Sequence, residues 1–164
     1  MDFERIVPYV PNLRRYARAL VGDRDAADDL VQDTLERAVR KFHLWRPGDL
    51  RAWLFSIMHN VFVNQLKSRK LAPSVEIDEE TLAAYVPGVD RLDVMDLERA
   101  LGKLAPEQRE VVLLVALEDM TYADVSRALG VPIGTVMSRL SRGRERLRRA
   151  MEGEPQRAEL RVVQ

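Results

Sequence analysis

Between Ile133 and Arg149 six arginines (Arg139, Arg142, Arg144, Arg146, Arg148 and Arg149) stand against one acid, Glu145, a net charge of +5. All six are arginine, whose planar guanidinium pairs in a fork with phosphate or with a guanine edge. Thr135 and Ser138 add hydroxyls suited to phosphate oxygens. The chemistry these residues offer is recognition of a polyanion. A solvated amphipathic helix is the plain alternative, since charge runs usually are one. The residues upstream favour recognition. Tyr122, Val125 and Leu129 fall at i, i+3 and i+7, one apolar face of a short helix. Gly130 stands where a helix ends in a left-handed residue. Pro132 and Gly134 mark a turn, after which Val136, Leu140 and Leu147 restart a helical stripe. Thr121 and Asp124 have capping-box spacing. The layout is a helix-turn-helix, whose second helix enters the DNA major groove.

Two further constellations invite a role. On a helix predicted over 24–42, Asp25, Asp28, Asp29, Asp33 and Glu36 oppose an apolar stripe of Leu30, Val31, Leu35, Ala38, Val39 and Phe42. The acidic face is either solvated or a docking surface. A later helix, to about Arg69, mixes Asn60, Asn64, Gln65, Lys67, Arg69 and Lys70 with aromatic neighbours. Trp53, Phe55 and Phe62 suit a core. Trp45, in the loop His43-Leu44-Trp45-Arg46-Pro47-Gly48, is the better candidate for exposure.

The elements that position these residues are helical. Leu13, Ala17 and Leu20 predict a helix over 12–21, stopped by Gly22, with Asp23 as N-cap of the next. Asp49 caps the helix that buries Leu50, Trp53, Leu54, Ile57, Met58, Val61, Phe62 and Leu66. Pro73, the run Glu76-Ile77-Asp78-Glu79-Glu80 and Pro87-Gly88 read as a linker. Helices resume with Leu92, Val94, Leu97, Leu101 and Leu104, and Pro106 suits a first helical position. The expectation is an all-α chain of two small domains: 1–70, an acidic linker at 71–91, a helix-turn-helix domain at 92–152 and a polar, frayed tail at 153–164.

The 26 basic and 26 acidic residues cancel overall but are segregated, +4 over residues 1–70 and −5 over 71–95, so neutrality does not argue against nucleic acid. With no cysteine and two separated histidines, neither a disulfide framework nor a metal site is expected. No glycine loop, H-E-x-x-H or nucleophile elbow appears, so no catalytic residue and no cofactor are expected. No apolar run reaches a membrane span, and the N-terminus lacks signal-peptide character. A cytoplasmic, nucleoid-associated protein without membrane insertion is the expectation.

Four stretches, DAADDLVQDTLERA, LRAWLFSIMHN, LAPEQREVVLL and LGVPIGTVMSRLSRGRERL, resemble the extracytoplasmic-function sigma factors of bacterial RNA polymerase, over roughly 10–70 and 92–151. The resemblance implies a sigma domain 2 joined to a sigma domain 4. It implies core polymerase (β′ clamp helices and β flap), promoter DNA and an anti-sigma factor as partners, with a stress response as the setting. Polymerase docking falls by resemblance on Asp28, Asp29, Gln32, Asp33 and Glu36. Reading and melting of the −10 element fall on Trp45, Asn60, Asn64, Lys67 and Arg69. Reading of the −35 element falls on Thr135, Ser138, Arg139, Arg142 and Arg144. Met137 departs from the basic residue the family often carries there. An independent helix-turn-helix regulator and a sigma mimic are the alternatives. The paired acidic and aromatic helices speak against the first. The intact arginine helix and the lack of a receiver domain speak against the second.

Overall fold

The chain opens with α1 (Asp2–Ile6) and α2 (Val10–Val21), joined by a 3-10 turn over Val7–Tyr9. Pro8 and Pro11 occupy the second positions of the turn and of α2, within the first turn, where no intrahelical donor is needed. Gly22 ends α2 at φ 83°, a left-handed conformation that glycine adopts without a Cβ penalty. The next helix, α3 (Arg24–Lys41), starts where Asp23 Oδ2 accepts from Ala26 N at 3.0 Å. Such a cap contributes about 1 kcal/mol. A 3-10 turn over Phe42–Leu44 leads toward α4 (Leu50–Arg69), where Asp49 Oδ1 accepts from Ala52 N at 3.2 Å. The computed structural model describes residues 2–69 and 91–163, and no strand occurs among them. The linker expected at 71–91 lies, apart from Arg91, outside the described residues.

The second half comprises α5 (Arg91–Gly102), α6 (Pro106–Ala116), α7 (Tyr122–Leu129) and α8 (Ile133–Val163). Pro106 opens α6, and Gln108 Oε1 accepts from Ala105 N. Thr121 Oγ1 accepts from Asp124 N at 3.1 Å, the hydroxyl half of the expected box, while the Asp124 carboxylate is paired with Arg127. Gly130 ends α7 at φ 66°. The helix α8 continues to Val163, past the point where fraying is expected.

Packing follows the apolar stripes. Helix α2 lies on α3, α3 on α4, and α8 on α5, α6 and α7. The two halves also touch, α6 against α2 and α7 against α4, so one cluster runs from Ile6 and Leu13 through Phe55 and Met58 to Val111, Val125 and Val136. Tyr16 meets Phe55 edge-on at 5.1 Å. Thr34 is polar but fully buried, its hydroxyl donating to Leu30 O at 2.7 Å. Trp53 and Leu66, expected to be buried, are half-buried, and two stripe positions are exposed. Val39 is 43% exposed and Tyr122 37% exposed, because each lies at the margin of its helix's covered face.

Candidate nucleic-acid and polymerase interfaces

On α3, Asp28, Asp29, Gln32, Asp33 and Glu36 are all exposed. They are held in place by neighbours. Arg18 lies 3.8 Å from Asp28, Gln32 Nε2 donates to Glu36 at 3.4 Å, and Gln65 Nε2 of α4 donates to Asp33 Oδ2 at 3.1 Å. The last bond ties the acidic face to α4. There Asn60, Asn64 and Lys67, at i, i+4 and i+7, form one exposed edge. Arg69 is the last residue of α4.

Trp45 is half-buried rather than free. The Arg5 guanidinium stands 4.6 Å from its ring centroid, and the Phe42 ring lies 5.3 Å away. This cation–π contact comes from α1, for which no expectation exists. Trp45, Arg46, Asp49, Trp53 and Ser56 line a cleft of about 450 Å³, and Arg127 of α7 lines it from the second half.

On α8, Val136 and Leu140 are buried while Met137, Ser138, Arg142 and Arg144 are exposed. Thr135 and Arg139 are half-buried. Arg148 and Arg149 are tied to Glu145, and Arg148 also to Glu152, at 2.7 to 3.0 Å. Among the described residues no ion pair holds Arg142, Arg144 or Arg146. The cations of α8 thus divide into a stretch with unengaged charge and a stretch that braces its own helix. Gly143 explains how α8 sits so close to α6: a Cβ there would stand 2.7 Å from Val112 Cγ2.

The chain matches known proteins in sequence and fold. Residues 6–59 match the family model for the Sigma2 domain of PhyR, and residues 95–147 match Sigma-70, region 4. The ECF RNA polymerase sigma factor EcfG of Rhodopseudomonas palustris (strain TIE-1) is 36% identical over 149 residues, which cover 87% of this chain and 80% of EcfG. The chain belongs to the ECF sigma factors of bacterial RNA polymerase. The ECF sigma factor SigE of Mycolicibacterium smegmatis (strain ATCC 700084 / mc(2)155) is 32% identical over 152 residues, 88% of this chain and 59% of SigE. The sigma factor RpoE of Bartonella quintana, solved in complex with the anti-sigma factor NepR, superposes with a TM-score of 0.78 at 32% identity, covering 92% of this chain and 96% of that one. This sigma factor directs promoter-specific transcription initiation, and its family consists of non-catalytic initiation factors. No helix among the described residues is long and apolar enough to cross a membrane.

Sequence reasoning missed two residues of this sigma factor. Glu110 of α6 and Glu118 in the turn after it are 3% and 2% exposed. Glu118 accepts from Asn12 Nδ2 at 3.2 Å and from Arg15 at 3.0 and 2.9 Å, and its backbone oxygen accepts from Arg51 at 2.9 Å. Glu110 Oε1 lies 2.7 Å from His59 Nδ1. Burial pushes both carboxyls above their ordinary values, although the partners work against it. Tyr16 is buried near both, and burial together with the two acids raises its hydroxyl well above the usual range. Arg109 closes the group, donating to Leu20 O at 2.8 Å and to Leu101 O and Leu104 O at 2.9 and 3.0 Å. No local signal marks these acids, because their partners lie 51 to 106 residues away in sequence.

Proposed function

We propose that this sigma factor docks core polymerase through Asp28, Asp29, Gln32, Asp33 and Glu36 on α3, against the β′ clamp helices, with the second half meeting the β flap. Trp45, Asn60, Asn64, Lys67 and Arg69 engage the −10 element. Thr135, Ser138, Arg139, Arg142 and Arg144 engage the −35 element. One observation carries this reading: α3 presents an acidic face to solvent and α8 an arginine-rich one, each on a surface of its own. Acids facing a basic partner give steering and register, and arginines facing DNA give phosphate and guanine contacts.

The domains are 1–70 for docking and the −10 element, 71–91 as linker, 92–152 for the −35 element and 153–164 as a polar tail. The chain is not an enzyme, needs no cofactor or metal, and acts in the cytoplasm at the nucleoid. Because the Bartonella relative was solved with NepR, an anti-sigma protein of that kind is the expected inhibitor, with release in a stress response. A second reading, a sigma mimic that sequesters such an inhibitor, is favoured by the match of residues 6–59 to the Sigma2 domain of PhyR. The unengaged arginines of α8 weigh against it, since a decoy has no need to read DNA.

Co-elution with sigma-free core polymerase separates the two. Stoichiometric binding that is lost in Asp33→Arg supports the sigma reading. A folded sample that ignores core and binds an anti-sigma protein supports the mimic.

A further inference from the structure

Trp45 stands in the loop between α3 and α4, and a ring and a cation hold it there. Its backbone N–H donates to Phe42 O at 3.0 Å, and its ring meets the Phe42 ring at 5.3 Å with a 46° tilt. The Arg5 guanidinium lies 4.6 Å from the Trp45 centroid and 5.8 Å from that of Phe42. Phe42 in turn meets Trp53 edge-on at 6.2 Å. Arg5 reaches these rings because α1 is seated on α3: Ile6 is fully buried, and Phe3 shares a groove with Leu35 and Val39. Arg5 itself is exposed, and among the described residues no ion pair holds it. Trp45 turns part of its surface to the cleft that Trp53 and Ser56 also line, whereas Arg5 is not among the lining residues. The cation therefore holds the ring from outside the cleft. It stands just ahead of the matched residues 6–59, so the family match does not account for it.

We infer that Arg5 is a positioning residue for promoter opening: its guanidinium, carried by α1, fixes the Trp45 ring as a platform on which an unstacked base of the −10 element stacks. The inference rests on the −10 reading above. A base drawn out of the duplex loses its stacked neighbours, and the face of an aromatic ring replaces them. A tryptophan on a loop gives up rotamer freedom when a base settles on it, and that loss subtracts from the stacking. A ring already held by a cation and a second ring has less to lose. Arginine suits the task, because its flat guanidinium covers a ring face while its stem packs alongside.

The test uses the full-length chain reconstituted with core polymerase. The probe is a single-stranded oligonucleotide carrying the non-template −10 element of a promoter mapped from the transcripts that this holoenzyme starts on genomic DNA. Trp45→Ala should lower affinity for the oligonucleotide about 5- to 150-fold, the loss of one base–aromatic stack. Arg5→Ala should lower it about 2- to 30-fold, the range of one cation–π contact, with affinity for core polymerase unchanged. Arg5→Lys keeps the cation and should recover most of the loss, whereas Arg5→Met keeps only an apolar stem and should not. In a Trp45→Ala chain, Arg5→Ala should cost nothing further, because its effect passes through the ring. Should Trp45→Ala fail to fold, Trp45→Leu fills the space without a ring face and takes its place in the cycle. An Arg5→Ala or Arg5→Met chain that binds as the native chain does overturns the positioning role and leaves Trp45 in the −10 reading. Equal loss with and without the ring overturns it too, by assigning Arg5 to a phosphate. Loss of the ring without effect, while core binding stands, removes Trp45 from the −10 reading and the inference with it.

Discussion

Helices α3 and α8 both offer charge to solvent, with opposite sign and opposite restraint. The acidic face of α3 is held from outside the helix, Asp28 by Arg18 of α2 and Asp33 by Gln65 of α4. On α8, Arg148 and Arg149 are held from within the helix by Glu145, while Arg142, Arg144 and Arg146 have no ion-pair partner among the described residues. A face braced by neighbouring helices presents a fixed pattern, suited to a protein partner that must find one register. Long arginines left unengaged keep their rotamer freedom until a duplex orders them, at an entropic cost that complementary phosphates and base edges must exceed.

The sharpest way to break this contrast is to reverse one charge on α3. Asp33→Arg sets a cation where a basic partner surface is expected and removes the Gln65 acceptor. Like-charge juxtaposition costs several kcal/mol, so core affinity should fall about a hundredfold or more. A direct titration with core polymerase reads it; unchanged affinity removes Asp33 from the docking face. On the other side, Arg142→Ala should lower −35 recognition by roughly 5- to 150-fold, the equivalent of about 1–3 kcal/mol for one lost bidentate contact. Core binding should not change. Equal loss of both affinities would mean that the two surfaces do not work separately.

Gly143→Ala probes whether α8 is positioned by its close approach to α6. A methyl set 2.7 Å from Val112 Cγ2 forces the helices apart, and overpacking of this kind costs about 1–3 kcal/mol. Thermal melting should show the loss. A melting temperature equal to that of the native chain would mean that Val112 yields without strain.

Acidity sharpens the contrast between buried and exposed carboxyls. Burial raises Glu110 and Glu118, so the folded chain holds more protons than the unfolded one above the ordinary carboxyl range. Their contribution is therefore fully present at low pH and is lost as pH rises through the raised values. Glu145, lowered by the Arg148 hydrogen bond, contributes the reverse, present above its unfolded value and lost on acidification. Asp124 behaves likewise, since bonds from Arg127 and Thr121 outweigh its burial. Melting should thus hold or rise as pH drops from neutral toward about 5, then fall below about 4. A steady decline from neutral downward would show that the buried acids are not raised. The smallest effect should come from Arg148→Ala. Its pairs with Glu145 and Glu152 are solvent-exposed, so neither melting nor −35 selectivity should change measurably.

Much of this was legible because it is local. Asp23 and Asp49 cap as their spacing predicts, Gly22 and Gly130 end helices in left-handed geometry, and Pro106 opens its helix. Each signal lies within four residues of its effect. The apolar stripes placed Leu30, Leu54, Phe62 and Val136 correctly inside, but they could not show where a neighbour's cover ends, so Val39 was expected to be covered. Arg5 over Trp45 was illegible because α1 carries no pattern of its own and makes sense only against the loop it covers. Glu110 and Glu118 looked like two more surface acids among 26. Only the meeting of the two halves gives them partners. Promoter and docking residues were reached by resemblance, since exposure alone does not tell one solvated arginine from another.

Helix α6 has a property beyond its contacts taken singly. One side accepts the bare backbone of Gly143, with Val112 filling the gap, and another carries Glu110 toward His59. Two helices packed that closely have little room to slide or roll over one another. A shift of α6 should therefore carry α8 with it.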